Sequence, residues 1–153
     1  MPKRRIADIV EMEQLLKTAQ IGSMATVGAD GEAYITPLNF VYIEGSIYFH
    51  AALSGRKLEN IAAHPMVCFN AWEMQRLVLG ENAGDCSVRY TSVICYGLAS
   101  IVPNGERKLE ILTELSAKYM DTRPEPPTEA YARKCALVEI RVEEMSGKKN
   151  VDE

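Results

Sequence analysis

The 153-residue chain is short of the residues that build metal centres and acid–base sites. It has two histidines and four cysteines, and no cysteines are spaced C-x-x-C, so no metal site is expected. No run approaches 18 consecutive apolar residues, so no membrane span is expected. The basic start, residues 1–5, is interrupted by Asp8, Glu11, Glu13 and Gln14 before any apolar stretch. It reads as a frayed terminus rather than a secretion signal. There is no basic excess either: 17 Lys and Arg stand against 21 Asp and Glu, a net charge of −4, which argues against a nucleic-acid partner. A G-x-S-x-G elbow, a Walker loop, H-E-x-x-H and G-x-G-x-x-G are all missing. With no leader, the expected compartment is the reducing cytoplasm, and Cys68 and Cys95, inside apolar runs, are expected as buried thiols.

What is present suits one soluble domain spanning residues 1–153. Ile9, Met12 and Leu16 recur at helical spacing, so residues 7–18 read as a helix. Residues 21–27 and 33–42 read as strands joined by the turn Gly28-Ala29-Asp30-Gly31. Pro37 inside the second strand removes a ladder donor and points to an edge, a bulge or an interface. Glu44-Gly45 turns the chain into a strand over 46–50, and a helix over 55–63 stops before Pro65. Residues 66–72 and 91–102 read as strands, and 75–89 as mostly loop. A second amphipathic helix spans 106–119, a proline-rich loop 121–128, and a closing strand 137–142. The expected class is therefore mainly β, an antiparallel sheet closed into a barrel with flanking helices.

The segment around Ser54-Gly55-Arg56-Lys57 carries the most chemistry. A helix that begins with two cations is electrically unfavourable, because its N-terminus already bears partial positive charge and free N–H groups. A bound anion reverses that balance, and a phosphate is the obvious one. Taken alone, Arg56 and Lys57 read equally well as solvated surface cations.

The order Tyr34-Ile35-Thr36-Pro37-Leu38-Asn39-Phe40, Ser46-Ile47-Tyr48-Phe49-His50, Ser54-Gly55-Arg56-Lys57 and His64-Pro65-Met66-Val67-Cys68-Phe69 resembles the flavin-binding split barrels of the pyridoxamine 5'-phosphate oxidase-like family. Cys86-Ser87-Val88-Arg89-Tyr90-Thr91-Ser92-Val93-Ile94 and the ending 142–148 resemble its nitroimidazole-resistance (Nim-type) branch. The resemblance covers about residues 5 to 148. It implies a homodimeric split β-barrel with FMN in clefts between the subunits. It implies that Arg56 and Lys57, beside Ser54, hold the FMN phosphate, and that His50 and Ala51 lie along the ribityl portion. Ile35, Thr36, Pro37, Leu38, Asn39 and Phe40 would then run along the isoalloxazine, with Asn39 the best side-chain candidate. In true pyridoxamine-phosphate oxidases the position of Phe40 is commonly lysine and the C-terminus carries an Arg/His segment. This chain has neither, so oxidation of the vitamin is not expected.

Each remaining candidate has a plainer reading. His50, on the strand face opposite Ile47 and Phe49, is a flavin or substrate contact and a tentative catalytic group, or simply a packed ring. His64 reads as a helix C-cap. Cys86 is a reactive thiol only if its pKa is lowered. Arg89 and Tyr90 contact flavin or substrate, where a cation would stabilise the reduced ring, or Arg89 makes a surface salt bridge. Trp72 reads as core or dimer interface. The functional expectation is an FMN-dependent oxidoreductase passing electrons from a donor to a small planar acceptor such as a nitroaromatic. Its rivals are a flavin-binding protein without turnover, for storage or redox sensing, and a relative that binds haem or deazaflavin.

Overall fold

The computed structural model describes residues 4–152. Strand β1 (Arg4–Ile6) leads to helix α1 (Ile9–Thr18), capped by Asp8, whose Oδ1 accepts the Val10 N–H at 2.9 Å. Strands β2 (Gly22–Val27) and β3 (Ala33–Leu38) form one hairpin, and β4 (Val41–Ile43) and β5 (Ser46–Ala51) form another. The second hairpin turns on Glu44 and Gly45, both at positive φ (47° and 86°), as a two-residue turn matched to strand twist requires. Helix α2 (Arg56–Ala63), strands β6 (Met66–Val78) and β7 (Ser87–Ile101), helix α3 (Glu106–Lys118), the single turn α4 (Glu129–Ala132) and strand β8 (Ala136–Asn150) complete the order.

Three boundaries differ from the sequence reading, for physical reasons. The strand over 33–42 breaks at Asn39-Phe40, because β3 pairs with β2 while β4 pairs with β5. The strands on either side of the 75–89 loop run further into it than expected, β6 to Val78 and β7 from Ser87, pairing from Met66↔Leu98 to Val78↔Ser87 with an irregularity between Met74 and Arg76; 79–86 is the loop. The closing strand is 15 residues long, and its polar second half pairs with both β7 and β1. Arg4 and Arg5 accordingly lie in a paired strand rather than a frayed end; residues 1–3 lie outside the described residues.

All strand pairs are antiparallel, in the order β3-β2-β6-β7-β8-β5-β4, with β1 added to β8. The two outermost strands, β3 and β4, are joined by only two residues. The sheet must therefore curl until its edges meet, yet they do not hydrogen-bond: this is a split barrel. Pro37 lies on the β3 edge, paired with Ser23 on one side only, which satisfies its missing N–H.

Phe40, Phe49 and Phe69 are fully buried inside the barrel, closed below by Met12, Leu15 and Leu16 of α1. Alternation along β5 sends Ile47 and Phe49 into this core and Tyr48 to the outside, where it packs with Ile111, Leu112 and Leu115 of α3. Cys95 is buried, and burial pushes its thiol up to about 12; Cys68 is only half-buried. Trp72, expected in the core or at an interface, is not in the core: it is 44% exposed on the outer sheet face.

Helix α3 is fastened at three points. At its start, Glu139 Oε2 accepts from Ser46 Oγ (2.8 Å) and Tyr48 Oη (2.9 Å), and Arg107 donates to both Tyr48 Oη and Glu139. In its middle, the buried Lys108 donates to Asn104 Oδ1, Ala132 O and Cys135 O at 2.9, 2.6 and 2.7 Å, tying α3 to α4. At its end, Lys118 Nζ donates to Ala19 O (2.6 Å) and Phe40 O (2.9 Å). Next to it, Tyr119 Oη lies 2.7 Å from Gln20 O and accepts the Phe40 N–H at 3.0 Å. The barrel seam at Asn39-Phe40 is thus closed by helix side chains instead of a strand ladder.

Burial alone would push the Glu139 carboxyl up, but the hydrogen bonds from Ser46, Tyr48 and Arg107 together outweigh it and hold it below the ordinary value. A carboxylate lowered in the folded state stabilises fully above the ordinary glutamate range, and that contribution is lost as pH falls through the folded value. Glu139→Gln should therefore cost about 1–2 kcal/mol at neutral pH, a gap that narrows on acidification. Urea midpoints from neutral to acid pH check this; a gap independent of pH would remove the role.

Candidate functional site

Helix α2 begins at Gly55, whose φ of 139° no other residue adopts without strain. No side chain caps it, and its first intrahelical bond runs from Glu59 N–H to Gly55 O. The N–H groups of the first turn therefore face an opening. That opening is a pocket of about 90 Å³ between α2 and β3, lined among others by Tyr34, Ala51, Ser54, Arg56 and Lys57. Arg56 stacks over the Tyr34 ring at 4.4 Å and pairs with Glu32 at 3.3 Å. Lys57 has no hydrogen-bond or ion-pair partner among the described residues. Two residues along β3 from Tyr34, on the same face but outside the pocket lining, the buried Thr36 Oγ1 also lacks a partner. An uncapped helix N-terminus and an uncommitted ammonium give this pocket a positive potential that favours an anion.

A larger cleft, about 520 Å³, opens on the other face of β5, between α3, the proline-rich loop and α4. His50 and Asn39 line it from the barrel side; Tyr119, Pro124, Glu125 and Tyr131 line it from the helical side. Its volume lies within the range of ordinary small-molecule sites. Because His50 and Ala51 are consecutive on a strand, they face opposite ways, His50 into the cleft and Ala51 into the small pocket. Consecutive residues at the end of β5 thus line the two separate cavities.

The residues expected along a flavin ring do not form one wall. Register puts Ile35 and Pro37 on the outer sheet face and Thr36 and Leu38 on the other. Leu38 is buried in the core. Phe40 is fully buried, and both of its backbone groups are taken by Lys118 and Tyr119. Leu38 and Phe40 are therefore structural, because the chain must dive inward there to cross the seam. Asn39 does reach the large cleft, with one amide hydrogen spent on Gln20 O at 3.1 Å.

Arg89 and Tyr90 are not brought to either cavity within one chain. Arg89 Nε pairs with Asp152 Oδ1 at 3.0 Å, the surface salt bridge that was its plainer reading, and Arg76 shares the same carboxylate at 2.6 Å. Both guanidiniums hold the Asp152 carboxyl below its ordinary value. Tyr90, paired with Met74, lies on the outer sheet face. His64 caps α2 through its backbone, its N–H donating to Asn60 O, and Cys86 is exposed. Sequence reasoning missed Thr36 as an isolated polar group, Tyr34 as the ring under Arg56, and the α3–α4 wall. Only the last had a signal, the tyrosines flanking a proline cluster. Among the described residues, no group of three or more His, Cys, Asp or Glu is placed to hold a metal, and no helix is long and apolar enough to cross a membrane.

Several solved structures share the fold. A candidate 5-nitroimidazole antibiotic resistance protein from Bacteroides thetaiotaomicron is 22% identical with a TM-score of 0.85, covering 97% of this chain and 89% of that one. An FAD and heme binding protein from Mycobacterium smegmatis is 16% identical (TM-score 0.86; 97% and 74% covered). The flavocytochrome Anf3 from Azotobacter vinelandii is 18% identical (TM-score 0.83; 97% and 70% covered). No curated protein is recognisably similar in sequence. The family model described as pyridoxamine 5'-phosphate oxidase matches residues 8–149. With nearly every strand and both cavities inside that span, the chain belongs to the pyridoxamine 5'-phosphate oxidase family.

Proposed function

We propose that the protein is a homodimeric, FMN-dependent oxidoreductase that reduces a small planar acceptor of the nitroaromatic class. The observation that carries the reading is the small pocket, where an uncapped helix terminus, Lys57 and the stacked Arg56 converge. FMN fits these residues. Arg56 and Lys57 hold its phosphate, and the α2 N–H groups supply backbone donors. The orphaned Thr36 Oγ1 gains a partner from the cofactor. When bound, the flavin supplies two-electron transfer, which the side chains of this chain cannot. His50 and Asn39 then orient the acceptor from the large cleft, and His50 is the group there able to give a proton. The fold shared with a candidate nitroimidazole-resistance protein favours the nitro group as acceptor.

The outer sheet face supports the dimer. Ile35, Trp72, Met74, Ile94 and Tyr96 are all 39–67% exposed, and strand register puts them side by side across β3, β2, β6 and β7. Such a contiguous apolar face marks an interaction surface. A second copy would bring Tyr90, on the same face, to the partner's cofactor.

Arg56→Ala should weaken FMN binding by about 10- to 100-fold, the loss of one or two charge-assisted hydrogen bonds. Fluorescence titration checks this, and unchanged affinity would reject the phosphate site. Anaerobic stopped-flow with chemically reduced protein should show faster flavin reoxidation on adding a nitroaromatic; no acceleration with any such compound removes that substrate class. Steady turnover with a reduced nicotinamide separates an enzyme from a flavin store, and the absorption spectrum of the purified protein separates flavin from haem or deazaflavin. The double substitution Trp72→Lys with Met74→Lys should convert the protein to monomer in sedimentation velocity.

A further inference from the structure

The large cleft differs from the phosphate pocket in charge, and that difference specifies its ligand. No lysine or arginine lines it, whereas Glu125 does. Three cations on and after α3 are committed elsewhere, and the exposed Arg133 and Lys134 do not line the cleft. Lys108 is buried against Ala132 O and Cys135 O, and Lys118 is drawn to Ala19 O and Phe40 O. Arg123, adjacent in sequence to the lining residue Pro124, pairs with Glu114 at 2.6 Å. Several neutral donors of the lining are also spent, leaving Ser116, Tyr131, His50 and the second Asn39 amide hydrogen. Asn39 donates to Gln20 O, Thr113 to Leu109 O, and the Tyr119 hydroxyl points to Gln20 O and Phe40 O. An anion entering here would lose its hydration, find uncharged hydroxyl and amide donors but no lysine or arginine, and face the Glu125 carboxylate.

We infer that this cleft admits a small aromatic molecule only if it carries no negative charge, so that anionic and phosphorylated rings are excluded, with Glu125 setting the discrimination. The inference rests on reading the cleft as the acceptor site and names the acceptor's chemical class. Tyr119 and Tyr131 supply ring faces and edges for an aromatic ligand, and Leu112 and Leu115 supply the apolar floor. A cation gains from Glu125 and from the tyrosine faces.

The test uses three probes of one shape: benzamidine, benzamide and benzoate. They are titrated calorimetrically into the full-length protein in one buffer at about pH 8. Benzoate should bind at least about 10-fold more weakly than benzamide, and benzamidine more tightly than benzamide by about 3- to 10-fold. Glu125→Gln should close the gap between benzamidine and benzamide, and Glu125→Lys should bring benzoate to or above benzamide. Ser116→Trp, which fills the cleft from an exposed position on α3, should abolish binding of all three probes and so locates them. Benzoate binding as tightly as benzamide, no binding of any probe, or binding indifferent to Ser116→Trp would each overturn the inference. An FMN titration on the same samples keeps the two readings apart. Lost flavin binding with the probe order intact sinks only the cofactor reading; tight FMN with benzoate preferred sinks only this one.

Discussion

The contact between the end of α3 and the Asn39-Phe40 link holds this structure in its working form. A split barrel has a seam where no strand ladder runs, and buried backbone groups along it must be satisfied by something else. Here the work falls to two consecutive side chains. Lys118 and Tyr119 take both polar groups of Phe40's backbone and the carbonyls of Ala19 and Gln20. The Lys118 ammonium also sits 3.7 Å from the centre of the Phe40 ring, which packs edge-on against Phe69 within the core. Burial lowers the Lys118 pKa to about 8, the electrostatic cost of placing a cation in that seam. The same clamp fixes Asn39 and Tyr119 as opposite walls of the large cleft, so the closure of the barrel and the shape of the cleft share one cause.

Strand β5 divides the chemistry. Its period of two sends Tyr48 and His50 to the helical side and Phe49 and Ala51 to the barrel side, and the chain then turns at Gly55 into α2. One short strand thereby addresses two cavities of opposite electrostatic character: a cationic pocket with backbone donors, and a mostly apolar cleft with one carboxylate. A cofactor with an anionic tail and a planar head suits such an arrangement, since the tail needs charge and the head needs a neutral, shaped neighbour. The network around Glu139 and Tyr48 and the buried Lys108 keep α3 and α4 at the distance that leaves the cleft open.

The sequence made the local features legible wherever turn chemistry or alternation spoke alone. The 28–31 turn, the Glu44-Gly45 turn, the parity of β5 and, to within one residue, the start of α2 all stood in the residues themselves. The cationic entry to α2 at Gly55-Arg56-Lys57 was readable for the same reason, being a contradiction between helix polarity and side-chain charge. Long-range effects were not legible. The strand ends at 75–78 and 87–89 are mostly polar and exposed, and they are strand only because each completes the other's ladder across the loop. The break at Asn39-Phe40 carries no proline or glycine; it exists because the sheet must change partners there. Arg89 looked available until the fold brought Asp152, 63 residues away, to its guanidinium.

One interaction in the small pocket appears at first to oppose the proposed phosphate. Arg56 already has a carboxylate, Glu32, at 3.3 Å. Both side chains are substantially exposed, 44% and 63%, and such pairs contribute only about 0–1 kcal/mol. A phosphate at the same place engages Arg56, Lys57 and the α2 N–H groups together, with charge-assisted bonds of about 1.5–3 kcal/mol each. The larger sum prevails, and Glu32 has open solvent to swing into. Stacking on Tyr34 does not depend on Glu32, so the guanidinium stays over the pocket when the carboxylate leaves. On this weighing, Glu32 is a placeholder that keeps Arg56 extended toward the pocket in the free protein.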